Sequence, residues 1–91
     1  MREHHAGPRV KQAAGLMFVL LDAAANDGLI RDDPTRERWR MIRAKVTRSD
    51  YETHAFEMFA LLVELEAADA LTGSWIAERW TGLRHRIERG E

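Results

Sequence analysis

Two histidine–glutamate pairs are the first candidates for chemistry in this sequence. His54 precedes Glu57 by three residues, and His85 precedes Glu88 by three, so the members of each pair share one side of a helix. Such pairs on facing helices of a bundle can hold a metal ion. The apolar stripes of both helices point elsewhere, so neither pair is expected to face the core. We therefore predict solvated side chains, no metal site and no cofactor.

Other catalytic arrangements have less support. The chain contains no cysteine, which excludes disulfides, thiolate metal ligands and cysteine nucleophiles. It also contains no glycine-rich phosphate loop and no nucleophile-elbow pattern. Asp32 and Asp33 could form an acid–base pair, but Asp33 before Pro34 is typical of a helix cap. We expect no catalytic residues, no enzymatic activity and no small-molecule substrate.

Charge is divided between two neighbouring segments. Residues 36–48 carry six basic residues and one acidic residue, a net charge of +5, whereas residues 49–78 carry seven acidic and no basic residues, a net charge of −7. One interpretation is that adjacent helices complement each other, at ~0.2–1 kcal/mol for each exposed pair. The other is that Arg36, Arg40 and Arg43 line one flank and bind the phosphates of a nucleic-acid backbone.

The segment 49–71 is the longest helical pattern, and we expect the other elements to pack against it. Ser49 and Glu52 form the spacing of a capping box, and Gly73 is placed to end the helix. Its apolar positions form two rows roughly 110° apart. The rows are Tyr51, Ala55, Met58, Leu62 and Leu65, and then Phe56, Phe59 and Val63. This helix is therefore predicted to be apolar on more than one side.

Three further helices are predicted at 9–25, 34–47 and 74–88. The run 16–21 in the first is apolar on every side, yet it is shorter than the ~18 apolar residues that a membrane span needs. It also begins too late for an export signal, so we expect a cytoplasmic protein with no membrane contact. Gly28 is expected to end the first helix in a left-handed conformation, with Leu29 folding back.

The loop after the first helix has two partial likenesses. Asp27-Gly28-Leu29-Ile30 resembles part of an EF-hand loop, but Ala23, Ala25 and Pro34 stand where the first, third and twelfth oxygen ligands should be. An apolar helix followed by residues 26–30 also resembles the start of tellurite-resistance TerB-type helical domains. The further acidic positions of those domains are missing, so the resemblance implies no function here.

These patterns predict an all-α fold, a small up-and-down bundle of four helices that is dimeric. Residues 8–91 are expected to form one domain behind a flexible tail, 1–7. The helices have more apolar surface than one small bundle can cover, which favours binding to another protein or to a second copy. The candidate interface residues are Met41, Phe56, Phe59, Val63 and Trp75. Trp75 could instead close the end of the bundle, and nucleic-acid binding by the basic helix remains the alternative function.

Overall fold

Residues 6–89, the part of the chain that this computed structural model describes, form five α-helices and one 3₁₀ turn joined by short connections. The helices are α1 (Ala6–Gln12), α2 (Ala14–Asn26), α3 (Asp33–Arg48), α4 (Ala55–Ala67) and α5 (Trp75–Arg89), and the 3₁₀ turn is Glu52–His54. The predicted all-α class is confirmed, and these residues contain no β-strand. The predicted number of helices is wrong, because the described residues form five helices instead of four.

The predicted first helix, 9–25, is divided by a bend. Ala13 lies between α1 and α2, and its N–H is shared between the carbonyls of Arg9 and Val10, at 3.1 Å each. Such sharing is typical of a tight, 3₁₀-like turn. The bend allows α1 to pack on α4 and α5 with Val10 and Ala13 buried. Arg9 Nε also donates to the carbonyl of Ile87 in α5 at 2.6 Å, which satisfies one of the last carbonyls of that helix.

Asp32, and not Asp33 as predicted, caps the start of α3. A carboxylate oxygen of Asp32 accepts a hydrogen bond from the backbone N–H of Thr35 at 3.1 Å. The backbone of Asp32 is extended, with φ −84° and ψ 144°, which is the conformation that a capping residue needs. Asp33 is already inside the helix, where its carboxylate contacts Arg36.

The capping box predicted at Ser49 and Glu52 is also wrong. Ser49 ends α3, and its hydroxyl donates to the carbonyl of Lys45 at 3.1 Å. Asp50 is the capping residue instead, because its carboxylate accepts a hydrogen bond from the backbone N–H of Thr53 at 2.7 Å. The central helix therefore begins with a 3₁₀ turn and is α-helical only from residue 55.

The central helix also ends earlier than predicted, at residue 67 instead of 71. Asp69 adopts the left-handed conformation, with φ 59°, and the N–H of Ala70 donates to the carbonyl of Leu65 at 2.9 Å. This is the helix-ending motif that usually requires glycine. Leu71, two residues after Asp69, is buried, and Gly73 lies further along the same connection with φ 85°.

The end of α2 agrees with the sequence pattern. Gly28 has φ 74°, and the N–H of Leu29 donates to the carbonyl of Ala24 at 2.9 Å. The predicted left-handed glycine and the returning Leu29 are therefore confirmed. Ile30 follows them into the core and is almost completely buried.

The core is one cluster to which all five helices contribute, with α2 in contact with each of the others, and every buried side chain among the described residues is hydrophobic. Within α4, Met58, Leu61 and Leu62 have no exposed surface. Trp80 of α5 is equally buried, and its indole N–H donates to a carboxylate oxygen of Glu66 at 3.1 Å. Arg84 contacts the same oxygen, so this pair of hydrogen bonds joins the end of α4 to α5.

The predicted tail, 1–7, falls outside the described residues except for positions 6 and 7, which belong to α1. Among residues 6–89, no helix combines the length and the apolar character needed to cross a bilayer.

Candidate interaction surface

Among the residues whose burial is described, six large hydrophobic side chains remain about half exposed at the surface. They are Leu16, Val19, Met41, Tyr51, Phe56 and Trp75. Five of the six line two grooves between helices, and Tyr51 instead packs its ring 5.2 Å from that of Phe18. Scattered exposed hydrophobics are ordinary, but hydrophobics grouped in a groove are typical of binding surfaces.

The first groove lies between α2 and α5, and we call it the α2–α5 groove. Leu16, Val19 and Trp75 line it with 53%, 55% and 53% of their surface exposed. Gly82 and the buried side chains of Leu20 and Leu83 complete its apolar part, and its volume is about 340 Å³. The charged side chains that line it are Glu78, Arg79 and Arg86. The predicted interface residue Trp75 is therefore exposed in this groove.

The second groove lies between α3 and α4, and we call it the α3–α4 groove. Met41 and Phe56 are 54% and 51% exposed there, with Ile42 and Ala60 beside them. Its charged residues are Arg38, Lys45 and Glu57. The structure thus brings two of the predicted interface residues, Met41 and Phe56, to the same surface although they are far apart in sequence.

The remaining predicted interface residues, Phe59 and Val63, are only partly exposed and pack against the core. The ring of Phe59 lies 5.6 Å from that of Trp80 in an edge-on arrangement. Neither residue lines the α2–α5 or the α3–α4 groove. Sequence reasoning missed Leu16 and Val19, because the run 16–21 is apolar on every side and does not indicate which side stays uncovered.

Each of the arginines predicted to bind phosphate contacts a carboxylate. The pairs are Arg36 with Asp33, Arg40 with Glu37 at 3.2 Å, and Arg43 with Asp22 at 2.9 Å. All three arginines also line one shallow depression beside Trp39. The structure therefore gathers them on one surface, where their charges are offset by nearby acidic groups.

Ion pairs also connect the basic α3 with the acidic α4. Arg38 contacts Glu64 at 2.7 Å, and Lys45 contacts Glu57 at 3.9 Å. The hydrogen bond from Arg38 lowers the pKa of Glu64 below its usual value. These contacts confirm that the two oppositely charged helices complement each other, as the first interpretation of the charge pattern predicted.

The side chains of the two histidine–glutamate pairs make different contacts. Nδ1 of His54 lies 2.8 Å from a carboxylate oxygen of Glu57, so these two side chains hydrogen-bond to each other. Glu88 instead contacts Arg84 at 3.0 Å, and His85 is exposed. The pKa of Arg84 is raised above its usual value by Glu88 and, to a smaller extent, by Glu66. Residues 6–89 contain no cluster of three or more histidine and acidic side chains that could hold a metal ion.

No model of a known protein family matches the chain. Comparison with curated proteins and with solved structures likewise gives no significant match. The short likeness at residues 26–30 to tellurite-resistance domains therefore identifies no family. The two grooves and the charges around them are the features from which a function can be argued.

Proposed function

We propose that this protein is a non-catalytic helical interaction module or assembly subunit, which acts by binding another protein or a second copy of itself. The observation that carries the proposal is the grouping of half-exposed Leu16, Val19 and Trp75 in one groove and of Met41 and Phe56 in another. The predicted dimeric state is part of this proposal.

Binding would cover surface that now contacts water. Burial of apolar surface contributes roughly 25 cal/mol per Å², so covering several half-exposed large side chains supplies a substantial part of a binding free energy. Aromatic residues and methionine are enriched where proteins meet. Charged residues line each groove together with its apolar side chains, and a mixture of the two is usual in protein interfaces.

Affinity purification from the cells that naturally produce the protein tests the proposal. Tagged wild-type protein is compared with Phe56→Glu and Trp75→Glu, which each place a charge in one groove. Ala44→Glu is the matched control, because Ala44 is exposed on α3 and lies outside both grooves. We expect wild type and control to retain a stoichiometric partner, either another protein or an untagged copy, and at least one groove variant to lose it about tenfold or more.

Circular dichroism of the purified variants shows whether they remain folded. Folded groove variants that keep the same partners as wild type would contradict the proposal. So would a wild-type protein that retains no stoichiometric partner and no second copy.

Nucleic-acid backbone binding is the second candidate function. One observation favours it, which is that Arg36, Arg40 and Arg43 line a common depression. The carboxylates that contact all three arginines weaken it, because a phosphate would have to compete with an ion pair at each position.

A further inference from the structure

We infer that the α2–α5 groove is the contact surface between two copies of this chain, which pair antiparallel through α5 about a two-fold axis at Gly82. This inference rests on the proposed function and deepens it by naming the partner of one groove. Three observations carry it: the position of Gly82, the charges on either side of it, and the exposed apolar residues of the groove.

Gly82 is a glycine that the fold of one chain does not require. It lies within α5, its φ is not in the left-handed region, and a Cβ added there would meet no atom within 4 Å outside the local helix. Glycine inside a helix costs roughly 1 kcal/mol relative to alanine. A residue without a side chain is useful where a second helix crosses at close range, and Gly82 lies in the α2–α5 groove.

Gly82 is also the midpoint of α5, which has 15 residues from Trp75 to Arg89. When a helix pairs antiparallel with its copy about its midpoint, residues at equal distances before and after that point lie opposite each other. Glu78 and Arg86 are four residues before and four residues after Gly82. Glu78 of each copy would therefore face Arg86 of the other, giving two symmetry-related ion pairs.

These two charges are available for such a contact. Neither Glu78 nor Arg86 forms an ion pair or a side-chain hydrogen bond within residues 6–89. Both line the α2–α5 groove together with Gly82, so all three share one side of α5. The surface is thus complementary to itself, which favours a second copy over an unrelated partner.

The same arrangement would cover the exposed apolar residues. A copy of α5 lying over Gly82 contacts both walls of the groove, including Leu16 and Val19 of α2. By symmetry, α5 of the first copy contacts α2 of the second. The interface then consists of α2 and α5 from each copy.

Charge reversal tests the opposed pair directly. Glu78→Arg and Arg86→Glu each place like charges opposite each other in a homodimer, and we expect each to weaken self-association about tenfold or more. Mixing the two variants restores opposite charges at both contacts. We therefore expect the mixture to form a heterodimer with an affinity within a few-fold of the wild-type homodimer, measured by sedimentation equilibrium with one variant fluorescently labelled.

Gly82→Leu tests the close crossing. The added Cβ has open space in one chain and leucine favours a helix over glycine, so we expect unchanged or increased thermal stability of the fold together with at least tenfold weaker dimerisation. Gly15→Leu is the matched control. Gly15 also lies in a helix with open space at its Cβ position, but it is not among the residues of the groove.

The inference is overturned if purified wild-type protein stays monomeric at high micromolar concentration. It is also overturned if a dimer forms that is insensitive to both reversals, or if mixing the two reversed variants restores nothing. The proposed function would still hold after any of these results, provided that purification from the native cells yields a partner and that the Phe56→Glu or Trp75→Glu variant loses it. Failure of both experiments removes the proposed function as well.

Discussion

At the scale of single residues, aspartates begin two of the helical segments. The side-chain and backbone hydrogen bonds of Thr35 lower the pKa of Asp32, and the backbone N–H of Thr53 lowers the pKa of Asp50. In both cases the ionised carboxylate accepts the hydrogen bond from a backbone N–H that has no partner in the helix. The charge of each aspartate therefore contributes to folding through a local contact with the chain.

Asp32→Ala is expected to lower the thermal unfolding midpoint by several degrees, because it removes the cap of α3. Asp33→Ala is the control with a smaller effect, since Asp33 makes an exposed contact with Arg36 and no capping bond. The pKa of Asp32 in the folded chain lies below its usual value of 3.8, so the capping contribution is complete above about pH 3.8 and is lost as the pH falls through the folded-state value. Equal midpoints for the two variants at pH 7 would contradict this assignment.

The arginines of α3 give a second prediction at this scale. Because Arg36, Arg40 and Arg43 each contact a carboxylate, we expect no retention of DNA or RNA in a gel-shift assay at 150 mM salt. The comparison variant replaces all three arginines with glutamate. Retention that weakens with salt and disappears in this variant would favour nucleic-acid binding over the proposed protein interaction.

At the scale of elements, α2 packs on all four other helices, so the segment 49–71 is not the helix that every other element packs against, as the sequence pattern predicted. The helix α4 packs on α1, α2 and α3, and Arg38 of α3 and Trp80 of α5 both bond to its acidic side chains. Its most buried positions fall on the side that the sequence pattern assigned to the core. Met58, Leu62 and Leu65 are buried there, and Leu61 joins them.

Leu62→Ala is expected to lower the free energy of unfolding by about 2–5 kcal/mol, because it leaves a cavity at a fully buried position. Val63→Ala, at the next and partly exposed position, should cost only about 1 kcal/mol. Urea unfolding followed by circular dichroism measures both values. Similar costs for the two variants would show that α4 presents a different side to the core.

Helix interiors could be predicted from this sequence, and helix boundaries often could not. The periodicity of the buried positions in α3, α4 and α5 is local information, and the structure agrees with it. Asp69 has a positive φ and is followed by the buried Leu71, and the bend at Ala13 brings α1 onto α4 and α5. Neither residue is a glycine or proline, the residues that most strongly indicate a helix end, although aspartate tolerates a positive φ.

The candidate surface was predicted only in part for a related reason. Met41 and Trp75 lie off the apolar stripes of their own helices, which is visible in the sequence and correctly indicated exposure. Phe59 lies on an apolar row that its own chain partly covers through Trp80. Which apolar side remains open depends on how the helices cross, and that arrangement is a property of the whole fold.

At the scale of the whole molecule, one chain of 91 residues forms an apolar core and still leaves two apolar grooves. The buried side chains form the core of a single copy, and Leu16, Val19 and Trp75 lie outside that core. We propose that another protein or a second copy of the chain covers these side chains.

The most direct measurement is the size of the native protein in a freshly prepared extract of the cells that produce it, obtained by size-exclusion chromatography at physiological salt. The account predicts elution in a complex of at least about 21 kDa, twice the 10.5 kDa of one chain. It further predicts a shift toward the monomer for a chromosomal Trp75→Glu or Phe56→Glu variant. Elution of the wild-type chain as a 10.5 kDa monomer would contradict the central claim.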